Sequence, residues 1–476
     1  MNAAARFRTP LASCPERMAL WTVDSGATSY ADFAARAAGA QTVARAEGWR
    51  AGVPVLLLVQ AGAESLAAVL GFMGLGIPVL FVEPWLPLRD IEQVVRTSRP
   101  QGFVAGRMGQ LWGLRSSSVR AIPRWVALSR LARPVSSHAL VINDVNPDAA
   151  ATIAFTSGTT GRPKGIVRTH ANLSAMHDAL TNDNARDALG APDLAIFPNF
   201  SLLHIGSGRG SVLVPPDWNS RALRIIGALP EVQRPVSLTC GPAFLRRVLA
   251  EARNGGFGGL RSLHVGGAAT DCALFERAFV RWPDARITHM YGGSEVEPAA
   301  WTDAREAVRL SRARGLFQAL HIGAPHPVLR TSIESSGLWV SGPTVAHASL
   351  GDDEENWRCE RTDVEGRRWH CTGDRIMSDA RGWWYAGRVA QPADEFALEQ
   401  RVYSRLGTSA CFVACDAQGQ LTLYGEHVRA AVHDVHDAFR KWFPEILAVR
   451  DVTIVRDRRH RARIDRVRSL ARVRAA

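Results

Sequence analysis

The stretch from Thr156 to Gly165 constrains this chain more than any other. It reads Thr-Ser-Gly-Thr-Thr-Gly-Arg-Pro-Lys-Gly and directly follows a short apolar run, 151–155, that has the length and composition of a buried strand. Glycines let the backbone turn sharply and bring its N–H groups close to an anion, hydroxyls add donors, and a lysine adds a compact positive charge. The pattern indicates a phosphate-binding loop, with a polar surface loop between two elements as the alternative.

The scarcity of lysine makes Lys164 informative. The chain contains only two lysines, Lys164 and Lys441, and arginine serves almost everywhere else as the cation. A lysine inside the loop therefore indicates a place where a flexible point charge and a planar guanidinium are not interchangeable.

Composition limits the classes of function. The 476 residues are 46% hydrophobic and 21% charged, which is typical of a globular protein of several domains. The formal net charge of +12 raises the hypothesis of nucleic-acid binding. However, the arginines are spread along the chain and no recognition motif accompanies them, so we expect no nucleic-acid partner.

Cysteine usage and apolar segments predict the compartment. The seven cysteines are scattered and include no C-x-x-C pair, which is typical of a reducing cytoplasm. Residues 1–8 lack the apolar core of a signal peptide. The uncharged segment Leu66–Val82 is divided by Gly74, Gly76 and Pro78, so we interpret it as a buried helix followed by a buried strand. We expect a cytoplasmic protein without a membrane span.

Short apolar runs alternate with helix-like segments through most of the chain. The strand-like runs are Val53–Val59, Val79–Val82, Gly102–Val104, Leu194–Phe197, Val212–Val214 and Leu263–Val265, and the helix-like segments are Ala63–Leu75, Leu88–Thr97 and Pro242–Ala252. This alternation predicts an α/β fold. Its sheet is expected to be parallel, because strands buried on both faces read as continuous apolar runs.

The pattern changes toward the C-terminus. Beyond Asp303 it becomes less regular, and short segments such as Gly337–Val340 and Gly382–Tyr385 are typical of a β-rich subdomain. After Arg388 follow a helical stretch, a strand at Leu421–Tyr424, a helix around Val432–Phe443 and a basic tail. We therefore predict a large N-terminal domain, 1–387, and a small α+β domain, 388–476.

Four further stretches carry residue types suited to chemistry. They are Gly266-Gly267-Ala268-Ala269, Tyr291-Gly292-Gly293-Ser294-Glu295, Thr372-Gly373-Asp374 and Gly387-Arg388. The first would let a flat ring lie against the backbone, the second offers an aromatic face and a carboxylate for Mg²⁺, and the third offers a carboxylate for ribose hydroxyls. Taken singly, each is more often structural than functional.

Together, in this order and at roughly these separations, the stretches resemble the ANL superfamily of adenylate-forming enzymes. The resemblance extends from about Val53 to Asp465. It implies an N-terminal domain of two α/β subdomains and a β-rich subdomain, followed by a small α+β lid domain. It also implies activation of a carboxylic acid with ATP and Mg²⁺, giving an acyl-adenylate and pyrophosphate.

The resemblance implies a role for each motif position. The phosphate loop would be lined by Thr156, Ser157, Gly158, Thr159, Thr160, Gly161 and Lys164. Mg²⁺ would be held by Thr160 and Glu295, and Ser294 would touch the α-phosphate. The nucleoside would contact Gly267, Ala268, Tyr291, Gly292, Asp374 and Arg388, with Asp374 on the ribose hydroxyls.

Within the superfamily, the chain is similar to the olefin β-lactone synthetases at Phe197–Leu203, Val212–Pro216 and Arg459–Arg466. Those enzymes adenylate a β-hydroxy acid whose own hydroxyl displaces AMP, so coenzyme A is not needed. We expect a carboxylic or β-hydroxy acid substrate, with transfer to an acceptor or carrier protein supplied by a partner as the alternative to lactone closure. A scaffold diverted to hydrolysis or condensation of an activated acyl group is the competing hypothesis.

Three departures from the superfamily pattern lie near the C-terminus. The catalytic lysine that bridges the substrate carboxylate and the α-phosphate is replaced by Arg463, which keeps the charge but not the geometry. The hinge position, usually charged, is Ala390, and the glycine-containing loop expected after it is replaced by Pro392 and a helix-like segment, 395–405. These changes make thioester formation doubtful and suggest that the lid has lost its usual rotation.

Two features of the segment 200–212 bear on the acid substrate, without identifying it. His204 is a candidate catalytic residue that could line the acyl pocket, although a lone histidine in an apolar segment is more often satisfied by a neighbour. The absence of an acidic residue between Phe200 and Val212 disfavours an amino-acid substrate.

Overall fold

The protein is described by a computed structural model that covers most of the chain. The described residues are 1–476 without 83–85, 132, 137–138, 158–162, 185–190, 253–255, 316–319, 347, 351–358, 407–410, 417–418, 434, 456–463, 465 and 476.

The largest sheet has eleven strands among the described residues. In spatial order they are Gly26–Ser29, Met18–Thr22, Ser211–Leu213, Asp193–Ala195, Ser237–Cys240, Ser262–Val265, Arg286–Gly293, Val296–Asp303, Leu320–Pro325, Gly382–Arg388 and Asp374–Asp379. The six neighbours from Met18–Thr22 to Arg286–Gly293 are parallel, and the strands beyond them are antiparallel. The carboxyl ends of the parallel strands therefore meet at one edge, where α/β proteins usually bind ligands.

A second sheet has seven strands in the described part of the chain. Their order is Ala348–Leu350, Pro163–Thr169, Ala150–Ser157, Val79–Phe81, Val55–Leu58, Gly102–Ala105 and Arg124–Ala127. The last five are parallel, whereas Ala150–Ser157 and Pro163–Thr169 form an antiparallel hairpin. The predicted phosphate loop is thus the connection of a hairpin at one side of this sheet.

Two smaller sheets follow. Four antiparallel strands, Arg330–Glu334, Gly337–Ser341, Arg368–Cys371 and Glu360–Thr362, form the β-rich part. The C-terminal region has the strands Cys411–Cys415, Leu421–Gly425 and Ala448–Asp451, which enclose a core of their own with the helix Ala393–Leu406.

Helices cover the sheets and are capped by local side chains. The α-helices are Arg8–Ser13, Tyr30–Ala46, Ala63–Gly74, Leu88–Ser98, Arg107–Gly113, Ser117–Arg120, Leu128–Leu131, His170–Asn184, Pro198–Gly206, Ser220–Gly227, Pro242–Ala252, Cys272–Arg281, Ala304–Ala313, Ala393–Leu406, Val428–His433, His436–Trp442 and Arg466–Ala475. Two 3-10 helices are Ala3–Phe7 and Glu231–Gln233. Asp271 and Asp303 accept hydrogen bonds from backbone N–H groups at the start of the helices they precede, which fixes where those helices begin.

The predicted architecture is confirmed: a mixed α/β protein with a large N-terminal domain and a small C-terminal domain. The boundary between 387 and 388 stays a prediction. The uncharged segment 66–82 lies in the buried helix Ala63–Gly74 and the strand Val79–Phe81, as predicted. Among the described helices, none has the length and apolar character needed to cross a bilayer. The seven cysteines all lie in the described part of the chain and form no disulfide there.

The strand Arg286–Gly293 includes Tyr291, and Gly293 pairs with Val296 across a hairpin, so the turn lies at Ser294 and Glu295. The helix Ala304–Ala313, capped by Asp303, follows the second strand of this hairpin. One local prediction was wrong. The segment predicted as one helix, 432–443, belongs to two helices, Val428–His433 and His436–Trp442.

Candidate active site

Two adjacent glycines lie at the carboxyl edge of the large sheet, in positions that other residues could not occupy without a clash or backbone strain. Gly266 follows the strand Ser262–Val265, and a Cβ atom on it would lie 2.6 Å from the carbonyl oxygen of Met290. Gly267 has φ +79° and lies open at the surface, with the ring of Phe197 3.9 Å from where its Cβ would be. The pair leaves a flat, accessible backbone surface beside an aromatic ring, with Ala268 next to it.

Tyr291, Asp374 and Arg388 form a compact polar cluster near this edge. The Tyr291 hydroxyl donates to Asp374 Oδ2 at 2.7 Å, and Arg388 Nε lies 3.2 Å from Asp374 Oδ1. Arg388 also donates to the carbonyl oxygen of Thr372, and the Asp374 N–H donates to the Thr372 hydroxyl at 3.2 Å. The Asp374 carboxylate thus joins Tyr291, 83 positions away along the chain, to Arg388.

The charges in this cluster reinforce one another. Burial, together with the neighbouring Asp374 carboxylate, raises the pKa of Tyr291 well above its ordinary value, so its hydroxyl stays a donor. Burial by itself lowers the pKa of Arg388, but the combined effect of Asp374, Tyr385, Tyr291 and Glu295 outweighs burial, so the pKa is raised. Asp374 is therefore an acceptor fixed by two donors, and its remaining lone pairs suit the hydroxyls of a ribose.

Both strands of the phosphate hairpin are described, and the residues between them are not. Thr156 pairs with Lys164, and Ser157 pairs with Pro163. The predicted ligands Gly158, Thr159, Thr160 and Gly161 lie outside the described residues, as does Arg463 near the C-terminus. The hairpin is packed tightly at its base, since a Cβ on Gly165 would lie 2.6 Å from the ring of Phe155.

The turn that carries Ser294 and Glu295 is tied to this hairpin from two sides. Arg168, in the hairpin strand, donates to the Ser294 carbonyl oxygen at 2.9 Å. The Ala346 N–H donates to the Glu295 carbonyl oxygen at 2.7 Å, and the nearby strand Ala348–Leu350 pairs with residues 165–167 of the hairpin. The backbone of the Ser294–Glu295 turn is therefore held beside the phosphate hairpin, and the Glu295 side chain is a carboxylate of the kind that Mg²⁺ prefers.

Comparison with known proteins identifies the family of this chain. The family model described as AMP-binding enzyme matches residues 7–346, which is more than two thirds of the chain. The chain belongs to the AMP-binding enzyme family.

Relatives of this AMP-binding enzyme are adenylate-forming ligases and synthetases of the ANL superfamily. Olefin beta-lactone synthetase from Xanthomonas campestris is 25% identical over 401 residues, covering 76% of this chain and 71% of that protein. Pyochelin synthetase PchE from Pseudomonas aeruginosa is 28% identical, covering 80% of this chain. Several relatives are far longer: the chain spans 4% of the nonribosomal peptide synthetase CymA from Salinispora arenicola and 16% of the antimetabolite synthetase AmbE from Pseudomonas aeruginosa.

Solved structures share the fold of this AMP-binding enzyme over nearly its whole length. Amide bond synthetase McbA from Marinactinospora thermotolerans matches with a TM-score of 0.77 and 18% identity, covering 98% of each chain. ATP-bound MatB from Rhodopseudomonas palustris matches with a TM-score of 0.74 and 19% identity, covering 96% of each chain. At these identities the likeness concerns the fold.

His204 does not lie at the edge of the sheet where Gly266, Gly267 and Tyr291 lie. The helix Pro198–Gly206 starts beside that edge and runs back along the strand Asp193–Ala195, so His204 Nδ1 lies 3.3 Å from Asp193 Oδ2 at the strand's amino end. Burial lowers the pKa of His204 to about 4, although the Asp193 carboxylate opposes this. The neutral imidazole belongs to a buried polar cluster in which Ser237 donates to Asp193 at 2.5 Å.

The linker after Arg388 is short and clamped in this AMP-binding enzyme. The helix Ala393–Leu406 begins five residues after Arg388, so no glycine-containing loop intervenes, as predicted. Arg375 donates to the carbonyl oxygens of Ala386, Val389 and Gln391 at 3.1 to 3.3 Å. The predicted hinge residue, Ala390, therefore lies within a segment whose backbone is fixed by one side chain.

Sequence reasoning missed a set of polar residues beside the site. Glu297 Oε2 lies 3.3 Å from Arg168 Nη2 and accepts from the Asn199 amide at 3.4 Å. The only local signal was an arginine four positions after Lys164 inside a strand, and an acid two positions after Glu295. Neither is unusual until the fold brings the two together.

Proposed function

We propose that this chain uses ATP and Mg²⁺ to activate a carboxylic acid as an acyl-adenylate. The observation that carries the proposal is the convergence of the Gly266–Gly267 surface, the Tyr291–Asp374–Arg388 cluster and the Glu295 turn on one side, with the phosphate hairpin tied to that turn. A flat ring, two vicinal hydroxyls and a chain of phosphates are the parts of ATP that such an arrangement fits.

The residues fit the ligand chemically. Asp374 would accept hydrogen bonds from the ribose hydroxyls, and the half-buried Glu295 supplies the oxygen donor that Mg²⁺ prefers. Thr160 would be the second oxygen ligand. Bound Mg²⁺ would offset negative charge on the phosphates.

The reaction we propose is a displacement at the α-phosphorus. A carboxylate oxygen of the acid forms a bond to that phosphorus, and the bond to the bridging oxygen of pyrophosphate breaks, with the electron pair leaving on pyrophosphate. Repulsion between the anionic reactants is the main obstacle, so Lys164, Arg463 and backbone N–H groups of the hairpin would stabilise the developing charge.

We propose further that acyl transfer proceeds without coenzyme A. The short clamped linker and the helix Ala393–Leu406 leave no loop where a thiol-binding state is expected. Resemblance to olefin beta-lactone synthetase supports a β-hydroxy acid that closes to a lactone, and relatives among nonribosomal peptide synthetases support a carrier protein or an amine acceptor as the alternative.

The test is pyrophosphate release by the purified chain with ATP, Mg²⁺ and a broad panel of carboxylic and β-hydroxy acids, followed by mass spectrometry for acyl-adenylate, lactone or hydrolysed acid. We expect acid-dependent pyrophosphate release. A chain that binds AMP but releases no pyrophosphate with any acid would contradict the proposal.

The Arg463→Lys variant addresses the departure near the C-terminus. A large gain in adenylation would mean that arginine is a lesion in an ancestral site. Loss of the native activity would mean that the arginine has been recruited for the reaction.

A further inference from the structure

Arg168 joins the phosphate hairpin to the turn that carries Glu295. It lies in the strand Pro163–Thr169, four residues after Lys164, and its Nη2 is 2.9 Å from the Ser294 carbonyl oxygen and 3.3 Å from Glu297 Oε2. The Arg168 side chain is 12% exposed and the Glu297 side chain 21% exposed. The pair is therefore largely withdrawn from solvent, where ion pairs are screened less than at the surface.

Glu297 gathers three separate elements around one carboxylate oxygen. Its Oε2 faces Arg168 from the hairpin and accepts from Asn199 at the start of the helix Pro198–Gly206. Glu297 itself is in the strand Val296–Asp303, directly after the Ser294–Glu295 turn. Glu297 thus holds Arg168 Nη2, the same atom that donates to the Ser294 carbonyl oxygen.

The carbonyl of Ser294 belongs to the peptide unit that leads into Glu295. A hydrogen bond to that oxygen fixes the plane of the peptide and hence the direction in which the Glu295 side chain leaves the backbone. The carbonyl of Glu295 is fixed in turn by the Ala346 N–H. Both peptide units that flank the Glu295 Cα are therefore anchored, one of them by Arg168.

We propose that Arg168, oriented by Glu297, is a positioning residue that sets the Glu295 turn against the phosphate hairpin and so determines the affinity for the magnesium complex of a nucleoside triphosphate. The inference rests on the proposed role of Glu295 as a magnesium ligand. A nucleoside monophosphate relies on the Tyr291–Asp374–Arg388 cluster instead, which Arg168 does not contact in the described hydrogen bonds.

The experiment compares nucleotide binding by the full chain and its variants using isothermal titration calorimetry. AMP, ATP with EDTA, and ATP with Mg²⁺ are titrated into the wild type and into Arg168→Ala, Arg168→Lys and Glu297→Gln. For Arg168→Ala we expect about tenfold weaker binding of Mg·ATP and a higher Mg²⁺ requirement, with AMP binding within about twofold of the wild type.

The other variants separate geometry from charge. Arg168→Lys keeps the positive charge near Glu297, but its shorter side chain lacks the guanidinium whose Nη2 reaches both Glu297 and Ser294, so it should fall between the wild type and Arg168→Ala. Glu297→Gln should weaken Mg·ATP binding less than Arg168→Ala, because the contact with Ser294 can persist. Arg314→Ala is the matched control, since Arg314 forms a half-buried ion pair with Asp379 away from these residues and should leave all three affinities unchanged.

Equal losses for AMP and Mg·ATP would overturn the inference, because Arg168 would then be a general structural residue. Unchanged Mg·ATP binding in Arg168→Ala would also overturn it. Because these titrations need no acid, a wild type that binds Mg·ATP but releases no pyrophosphate with any acid would contradict the proposed function and leave the inference about Arg168 standing. If Arg168→Ala does not fold, Arg168→Lys and Glu297→Gln provide the same comparison.

Discussion

At the scale of single residues, Asp374 is the group on which we propose that nucleoside binding depends. It accepts from Tyr291 and pairs with Arg388, so replacing it by alanine removes the proposed ribose acceptor and takes one partner from each of these two donors. We predict that Asp374→Ala weakens AMP binding by roughly tenfold to a hundredfold, as expected for loss of charge-assisted hydrogen bonds.

Calorimetric titration with AMP measures this prediction. Asp379→Asn, at the exposed end of the same strand, is the control and should bind AMP like the wild type. AMP binding by Asp374→Ala that equals the control would show that the ribose is bound elsewhere.

Lys164 offers a second test at this scale because the chain contains only one other lysine. Replacing Lys164 by alanine removes the cation that we propose contacts the phosphates, and we predict a loss of roughly a hundredfold or more in the rate of pyrophosphate release. AMP binding should change little, since AMP lacks the β- and γ-phosphates.

Lys441→Ala is the matched control for Lys164→Ala, since Lys441 is exposed on the helix His436–Trp442. Steady-state kinetics with a saturating acid substrate give both rates. A comparable loss in the two variants would mean that the effect of Lys164 is not specific to the hairpin.

At the scale of elements, the C-terminal region is held together by Arg466. Its guanidinium lies 2.6 Å from Glu399 and 3.4 Å from Glu395, which joins the last described helix to the helix Ala393–Leu406. Because Glu399 is almost completely buried, Arg466→Ala would leave an unpaired carboxylate in the core. We predict a loss of about 3 kcal/mol in the unfolding free energy of this region.

Hydrogen exchange of the helix Ala393–Leu406 reports this change without unfolding the larger domain. The double variant Arg466→Met, Glu399→Met removes both charges and should recover part of the protection. A double variant as unprotected as Arg466→Ala would mean that packing by the arginine stem, rather than its charge, stabilises the region.

The linker between the two regions makes a separate prediction at this scale. Arg375 binds three carbonyl oxygens around it, and the N–H groups of Val389 and Gln391 donate to the carbonyls of Gly373 and Arg388. We predict that Arg375→Ala increases the exchange rates of these two amides by about tenfold, since local opening then requires fewer broken contacts. Arg381→Ala, an exposed neighbour, should leave both rates unchanged.

The elements also show what the sequence can and cannot predict. Runs such as Val53–Val59, which contains the strand Val55–Leu58, were found because strands buried on both faces tend to be continuously apolar. The helix Tyr30–Ala46 was missed because it is rich in alanine and buried on most sides, so it has no apolar stripe. The Arg168–Glu297 pair joins positions 129 residues apart, and no local period encodes such a contact.

At the scale of the whole molecule, the site depends on how two sheets are joined. The glycine surface and the Tyr291 cluster belong to the eleven-stranded sheet, and the phosphate hairpin belongs to the seven-stranded one. Arg168, Val345, Ala346 and the strand Ala348–Leu350 connect the sheets beside Glu295. The motifs of each sheet can be recognised in the sequence. The placement of one sheet's motifs relative to the other's depends on side chains outside the motifs.

Mild acid should destabilise the whole protein because several histidines are kept neutral inside it. Burial lowers the pKa of His170, His177, His204 and His289 to about 4 in each case. A histidine with an ordinary pKa of 6.5 binds more protons when unfolded, so its contribution is full above pH 6.5 and is lost as the pH falls toward 4. At pH 5.5 each costs about 1 kcal/mol relative to pH 7.5.

Glu399 makes the protein more stable as the pH falls, so the net change in stability depends on whether the histidines or Glu399 contribute more. Burial raises the pKa of Glu399 to about 7, so the folded protein favours the protonated form of this side chain. The free-energy cost of burying the charged carboxylate is therefore relieved as the pH falls below 7, which returns about 2 kcal/mol of stability between pH 7.5 and 5.5. The four histidines outweigh the one glutamate, and we predict a net loss of roughly 2 kcal/mol in unfolding free energy between pH 7.5 and 5.5.

Denaturant unfolding at pH 7.5, 6.5 and 5.5 measures this loss of stability. His289→Phe should flatten the profile, whereas a substitution of the exposed His436 should not, and stability that is constant or rises toward pH 5.5 would contradict the assignment of neutral buried imidazoles.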